Sequence, residues 1–199
     1  MIRKFPENLD KILQNPKDLI QVLSGPRQVG KTTAAHYYLD GPHTHFVSAD
    51  LPMTPTALFI EEQWQKARAI PSPQRTLVLD EIQKIPRWSE VVKKLYDEDR
   101  AQDFPLRVVI LGSAAILIEK GLAESLTGRC ETHYFPHWTF TECQKEFGAS
   151  LVDYVRIGGY PKAYDFRDDP ERLENYLQNG IIEPSLGRDI LSLHAVDKP

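Results

Sequence analysis

The chain has 199 residues, enough for one sizeable core or one domain with a small appendage. Hydrophobic residues make up 41% and charged residues 26%, ordinary proportions for a globular protein, and the net charge of −4 supplies no global basic field for nucleic acid or an anionic membrane. Cys130 and Cys143 are too few for a disulfide framework. The longest apolar stretch, residues 108–118, is too short to span a bilayer, and the N-terminus turns polar before a signal-peptide core could form. A cytoplasmic, reducing compartment is therefore expected.

In chain order, residues 7–14 are expected to form an amphipathic helix closed by Asn15-Pro16. Residues 19–23 form a short, apolar, partly β-branched run suited to a buried strand. Residues 30–39 contain no helix breaker and stop at Asp40-Gly41-Pro42. A second strand is expected at 45–49. A helix at 57–70 carries Leu58, Ile60, Trp64, Ala67 and Ile70 on its apolar side. A third strand spans 75–79, and a helix opens at Pro86 and runs to Arg100. A fourth strand at 106–111, a helical stretch at 116–126 and a fifth strand at 131–135 follow. Three helices at 139–147, 151–157 and 170–182 complete the chain, with Gly158-Gly159-Tyr160-Pro161 as a sharp break. Strands alternating with helices predict an α/β fold with a doubly wound, mostly parallel five-stranded sheet. The expected division is a core at 1–136 and a helical C-terminal segment at 137–199.

The most specific local signal is Gly25-Pro26-Arg27-Gln28-Val29-Gly30-Lys31-Thr32, followed by Thr33. This is G-x-x-x-x-G-K-[ST], a phosphate-binding loop between a strand and a helix. The glycines permit backbone conformations that a Cβ would block, so the N–H groups of residues 25–33 can wrap a polyphosphate. Lys31 brings a charge to the β- and γ-phosphates, and Thr32 offers a hydroxyl to Mg²⁺. The helix N-terminus adds its positive dipole end.

The third strand ends Thr76-Leu77-Val78-Leu79-Asp80-Glu81, a run suited to burial being followed by two acids at a ligand-binding sheet edge. Asp80 would hold Mg²⁺ and Glu81 would prepare the attacking water. An adjacent glutamate favours water-activating ATPases over kinases, and the guanine-reading Asn-Lys-x-Asp motif is absent, so ATP is the expected nucleotide. Ser113, ending the fourth strand, is expected beside the γ-phosphate as a polar sensor. Arg129 after Leu126-Thr127-Gly128 leaves two readings open, a surface arginine or a finger completing a neighbouring subunit's site.

These blocks together resemble the prokaryotic AAA-type ATPases, ATP-binding proteins with an N-terminal ATPase domain and a C-terminal domain of unknown function. The matching residues include the phosphate loop through Thr33, Asp80-Glu81-Ile82-Gln83-Lys84 with Pro86 and Trp88, Leu111-Gly112-Ser113, Leu126-Thr127-Gly128-Arg129, Phe135-Pro136 with Phe140 and Glu142, and Gly158-Gly159-Tyr160-Pro161. The resemblance implies an AAA-like core, ATP hydrolysis with Mg²⁺, a homo-oligomer and Arg129 acting in trans. It also implies a further C-terminal domain that is missing here, so the apolar residues of 173–193 are expected to face it. It supplies no protein partner.

Two other functions fit parts of the pattern: a nucleotide-gated regulatory module with negligible turnover, and a small-molecule phosphotransferase, against which Asp80-Glu81 argues. Cys130, His133, His137 and Cys143 have a spacing loosely like a zinc site, but strand and family patterns account for the segment without metal. His43 and His45 are expected to be solvated, and Trp64 and Trp88 to be packed.

Overall fold

A computed structural model describes residues 19–113 and 125–185. The expected helix at 7–14 and nearly all of the one at 116–126 lie outside them. Among the described residues there are five strands: β1 (Ile20–Ser24), β2 (Thr44–Ser48), β3 (Thr76–Asp80), β4 (Arg107–Gly112) and β5 (Cys130–Tyr134). They form one fully parallel sheet in the order β2-β3-β4-β1-β5. The helices are α1 (Lys31–Leu39), α2 (Ala57–Arg68), α3 (Trp88–Ala101), α4 (Phe140–Phe147), α5 (Leu151–Ile157) and α6 (Pro170–Asn175).

The strand residues alternate between two cores, as the two-residue period of a strand requires. Ile20, Val22, Leu77, Leu79, Val108 and Ile110 pack on one face with α2 and α3. Leu23, Val78, Val109 and Leu111 pack on the other with α1 and the helical segment that follows β5. Both faces of β1, β3 and β4 are therefore covered, which is why these strands read as continuous apolar runs. Edge strand β5 is Cys-Glu-Thr-His-Tyr and stays polar and partly exposed.

Four expectations shift. Leu58 is 60% exposed, because the buried stripe of α2 is Ile60, Gln63, Trp64 and Ala67, and Leu58 lies two residues before its start. Helix α3 begins at Trp88, not Pro86, because Arg87 adopts a left-handed φ of 59° at the cap after a 3₁₀ turn at Ile82–Lys84. The helix expected at 170–182 changes character after α6: Tyr176–Ile182 is π-helical. A 3₁₀ turn at Pro161–Phe166, not anticipated, follows the Gly158-Gly159 break. His45 is half-buried and bonds Gln63 Oε1 through Nε2 at 2.9 Å, rather than facing solvent.

The segment after β5 belongs to the same core as the sheet. Trp138, Cys143, Ile157, Tyr164 and Leu173 join the cluster that contains Leu23 and Leu111. Capping boxes start α4 (Thr139 with Glu142) and α5 (Ser150 with Asp153), satisfying the free N–H groups of these short helices.

Candidate nucleotide-binding site

The C-terminal ends of β1, β3 and β4 lie side by side at one sheet edge, with Asp80 in register with Leu111, and Ser24 with Gly112. Each strand delivers one part of the site there, the expected place for a ligand in an open parallel sheet.

The turn after β1 is built around Gly25. Its φ is 152°, and a Cβ there would lie 2.2 Å from the carbonyl oxygen of Phe135, so only glycine lets the loop leave β1 this close to the end of β5. Gln28 also takes a left-handed φ, 59°. Gly30 (φ 92°) caps α1 in open space, where the backbone conformation rather than crowding calls for glycine. Val29 is fully buried, and its carbonyl accepts the indole N–H of Trp138 at 3.0 Å. Pro26 has no N–H to offer; its carbonyl, like that of Gly25 (2.9 Å), accepts from the Lys31 ammonium.

Lys31 is only 6% exposed. Burial pulls its pKa from 10.5 down to about 8, against the opposing pull of Glu81 and then Asp80. Thr32 Oγ1 donates to Asp80 Oδ2 at 3.0 Å, and Asp80 Oδ1 accepts the N–H of Glu81 at 3.0 Å. Burial, then the nearby Glu81 carboxylate, raises the pKa of Asp80. Two crowded, half-desolvated carboxylates beside a threonine hydroxyl form a site that a hard divalent cation relieves. The residues present thus fit Mg²⁺. Glu81 has a left-handed φ of 53°, which turns the chain out of the strand, and its N–H also reaches the Leu111 carbonyl at 3.0 Å. Its carboxylate accepts the Gln83 side-chain amide at 2.6 Å.

Ser113 Oγ is buried and has no hydrogen-bond partner among the described residues. Arg27, Gln28, Gly30, Lys31, Thr32, Thr33, Glu81 and Ser113 line one cleft of about 410 Å³, together with Gly180 and Pro184 from the helical segment. A cleft holding an ammonium, loop N–H groups and an unsatisfied hydroxyl fits a polyphosphate. Gly180 and Pro184 were not singled out in the sequence, and Gln83 stood out only as part of the block after Asp80, with no role given to it. A glycine inside an expected helix was the one available signal for Gly180.

Arg129 is not in this cleft. Its carbonyl accepts the N–H of Ile20 at the start of β1, so it sits at the opposite sheet edge, about 16 Å away at 3.3 Å per strand residue. Its guanidinium pairs with Asp97 of α3 at 2.7 and 3.0 Å, which pulls the Asp97 carboxyl below its ordinary range. It cannot serve the phosphate loop of its own chain. Of the residues weighed for zinc, His133 bonds Gln21 and His137 lies edge-on to Tyr160. Among the described residues no group of three or more His, Cys, Asp or Glu is placed to hold a metal.

The family model for an AAA domain matches residues 17–144. An uncharacterised protein of Mycobacterium tuberculosis is 28% identical over 175 residues, covering 87% of this chain and 36% of its own length. An uncharacterised protein of Haemophilus influenzae is 27% identical over 193 residues, covering 87% of this chain and 46% of its own. The chain thus spans between a third and a half of these relatives. Among solved structures, a Walker-type ATPase of Pyrococcus abyssi superposes with a TM-score of 0.56 at 15% identity, covering 94% of this chain and 70% of that one. RuvB of Thermotoga maritima gives a TM-score of 0.50 at 16% identity, covering 75% and 47%. These likenesses show a P-loop NTPase fold. No helix among the described residues is long and apolar enough to cross a membrane.

Proposed function

The chain belongs to the AAA domain family, and from that premise we propose that it binds ATP with Mg²⁺ and hydrolyses it to ADP and phosphate. The observation that carries this reading is the convergence of Lys31, the Thr32–Asp80 pair, Glu81 and the unpartnered Ser113 hydroxyl on one edge of the sheet. The loop N–H groups of residues 25–33, other than the N–H-less Pro26, and the Lys31 ammonium bind the phosphates. Thr32 and Asp80 hold Mg²⁺. When bound, that ion neutralises charge developing on the phosphate oxygens. Glu81 takes a proton from the attacking water, one carboxylate oxygen being held by Gln83. Ser113 donates its free hydroxyl to the γ-phosphate. Arg129 exchanges Asp97 for the phosphate of an adjacent protomer, in a homo-oligomer with the opposite sheet edge turned to its neighbour.

Phosphate release and nucleotide affinity, measured side by side, test the assignment. Lys31→Ala should lose ATP binding, whereas Glu81→Gln should keep binding and lose turnover; unchanged turnover in Glu81→Gln would remove the proposed base. Specific activity should rise with protein concentration, and Arg129→Ala should abolish the rise.

A second reading is a nucleotide-gated module that binds ATP with negligible turnover. The hydrogen bond between Gln83 and Glu81 favours it, since it engages the oxygen-bearing end of the proposed base. Steady-state phosphate release by the concentrated protein separates the two.

A further inference from the structure

The phosphate loop is gripped from the side by the helical segment. Gln28, at the loop apex, uses both ends of its side-chain amide: Nε2 donates to the Gly180 carbonyl, and Oε1 accepts the Tyr176 hydroxyl. Both partners lie in the π-helical stretch Tyr176–Ile182, some 150 residues away in sequence. Tyr176 is itself fixed by the ring of Phe166, 5.1 Å between centroids. Gly180 also lines the phosphate cleft. A Cβ at Gly180 would meet the Tyr176 ring at 3.4 Å, an ordinary contact distance, so residue 180 packs directly against that ring.

Gln28 carries this contact while in a left-handed conformation that a residue with a Cβ adopts sparingly. Such a conformation persists where the surroundings over-determine it. The surroundings here are two hydrogen bonds from one seven-residue turn, of a type that recurs at functional sites.

We propose that Tyr176 and Gly180, acting through Gln28, are positioning residues for the phosphate loop, and that the 176–182 turn thereby senses whether the loop holds a polyphosphate. The inference rests on the phosphate-site reading above. The two amide bonds hold residue 28 left-handed, and with it the N–H groups on either side that must face the ligand. Coupling of this kind is reciprocal: if the turn favours the phosphate-receptive loop, phosphate on the loop favours the turn. The Trp138 bond to the Val29 carbonyl anchors the next residue independently, so Gln28 moves against a fixed neighbour.

Binding of ADP to the full chain, followed by calorimetry and by amide hydrogen exchange, tests this without requiring turnover. Tyr176→Phe and Gln28→Ala should weaken ADP about 5- to 30-fold, within the usual range of coupling between sites, while the melting temperature stays near wild type. In the wild type, ADP should slow exchange across 176–182; in Gln28→Ala, saturating ADP should leave that stretch unchanged. Affinities within twofold of wild type, or tighter, in both variants would overturn the proposal. So would ADP saturation of the wild type with no change in exchange at 176–182. Lys31→Ala separates the two levels of failure. If it abolishes ADP binding while Tyr176→Phe does not weaken it, the positioning role alone is wrong. If Lys31→Ala and wild type bind ADP alike, the phosphate-site reading falls and this inference with it.

Discussion

The sheet edge and the helical segment beside it build the same cleft by different means. The edge is held by backbone: β1, β3 and β4 are paired along their whole length and buried on both faces, so Asp80 and Ser113 inherit their positions from hydrogen-bonded ladders. The segment is held by side chains reaching backbone carbonyls: Trp138 to Val29, Tyr154 to Trp138, Tyr164 to Gly158 and Arg167 to Phe147. Aromatic contacts, Phe147 with Tyr164 at 4.8 Å and Trp138 with Phe147 at 5.3 Å, fill the space between them. A ladder spreads its energy over many equivalent bonds; a set of single side-chain contacts concentrates it in a few residues. The chemistry thus sits on the part least sensitive to one substitution, and the cover on the part most sensitive.

The largest separation of the two should come from Glu81→Gln. Loss of a general base lowers turnover about 10²- to 10⁴-fold while the urea unfolding midpoint stays put. Gly159→Ala should do the reverse. A Cβ there would lie 2.4 Å from the Trp138 carbonyl oxygen, costing about 3 kcal/mol of stability in urea unfolding by forcing the segment off the loop. Trp138→Phe is milder: it leaves the Val29 carbonyl unpaired and should cost about 1–2 kcal/mol, with a few-fold weaker ADP binding.

A pH series sharpens the comparison from the side of the sheet. Lys31 loses its proton near pH 8 in the free protein, because burial lowers it from 10.5. A bound polyphosphate stabilises the charged form, so binding takes up a proton once the solution is above that value. Metal-free ADP affinity should be level below pH 8 and fall as pH rises through it, by up to about tenfold per unit. Calorimetry in buffers of different ionisation heat should register proton uptake at pH 9; an affinity flat to pH 9.5 would contradict the buried-lysine picture. The smallest effect is expected at the far edge. Arg129→Ala breaks a partly exposed ion pair with Asp97 and should move the melting temperature by no more than about 2 °C.

The same contrast explains what could be read from sequence. Strand and loop residues announced themselves because burial on both faces demands continuous apolar runs, and because the phosphate loop needs glycine at fixed spacing. Asp80 and Glu81 followed from where a buried strand must end. Ser113 could be placed by topology once β4 was adjacent to β1. Gln28 was legible as part of the loop but not as its tie to Tyr176, since nothing local marks a glutamine that bonds a carbonyl some 150 residues on. The π-helical turn was invisible for a like reason: the intrinsic preference of residues 170–182 is helical, and the widening around Gly180 comes with a tertiary contact. Leu58 was misplaced because the sequence shows apolar residues, whereas the structure selects the four that share one helical face.

Strand β5 fastens to β1 at both ends. The Arg129 carbonyl takes Ile20 N–H at one end, and Phe135 N–H reaches the Ser24 carbonyl at the other, directly beneath Gly25. Glu131, Thr132 and Tyr134 are exposed, whereas Cys130 packs against the core and His133 bonds Gln21. Their number is another matter. One residue more or fewer would release either the arginine turn from the base of β1 or Phe135 from the loop it supports, and would reverse which side chains face in. β5 therefore works as a spacer whose length is held more tightly than the identity of its exposed residues. An insertion there should be far more damaging than a substitution at Glu131 or Thr132.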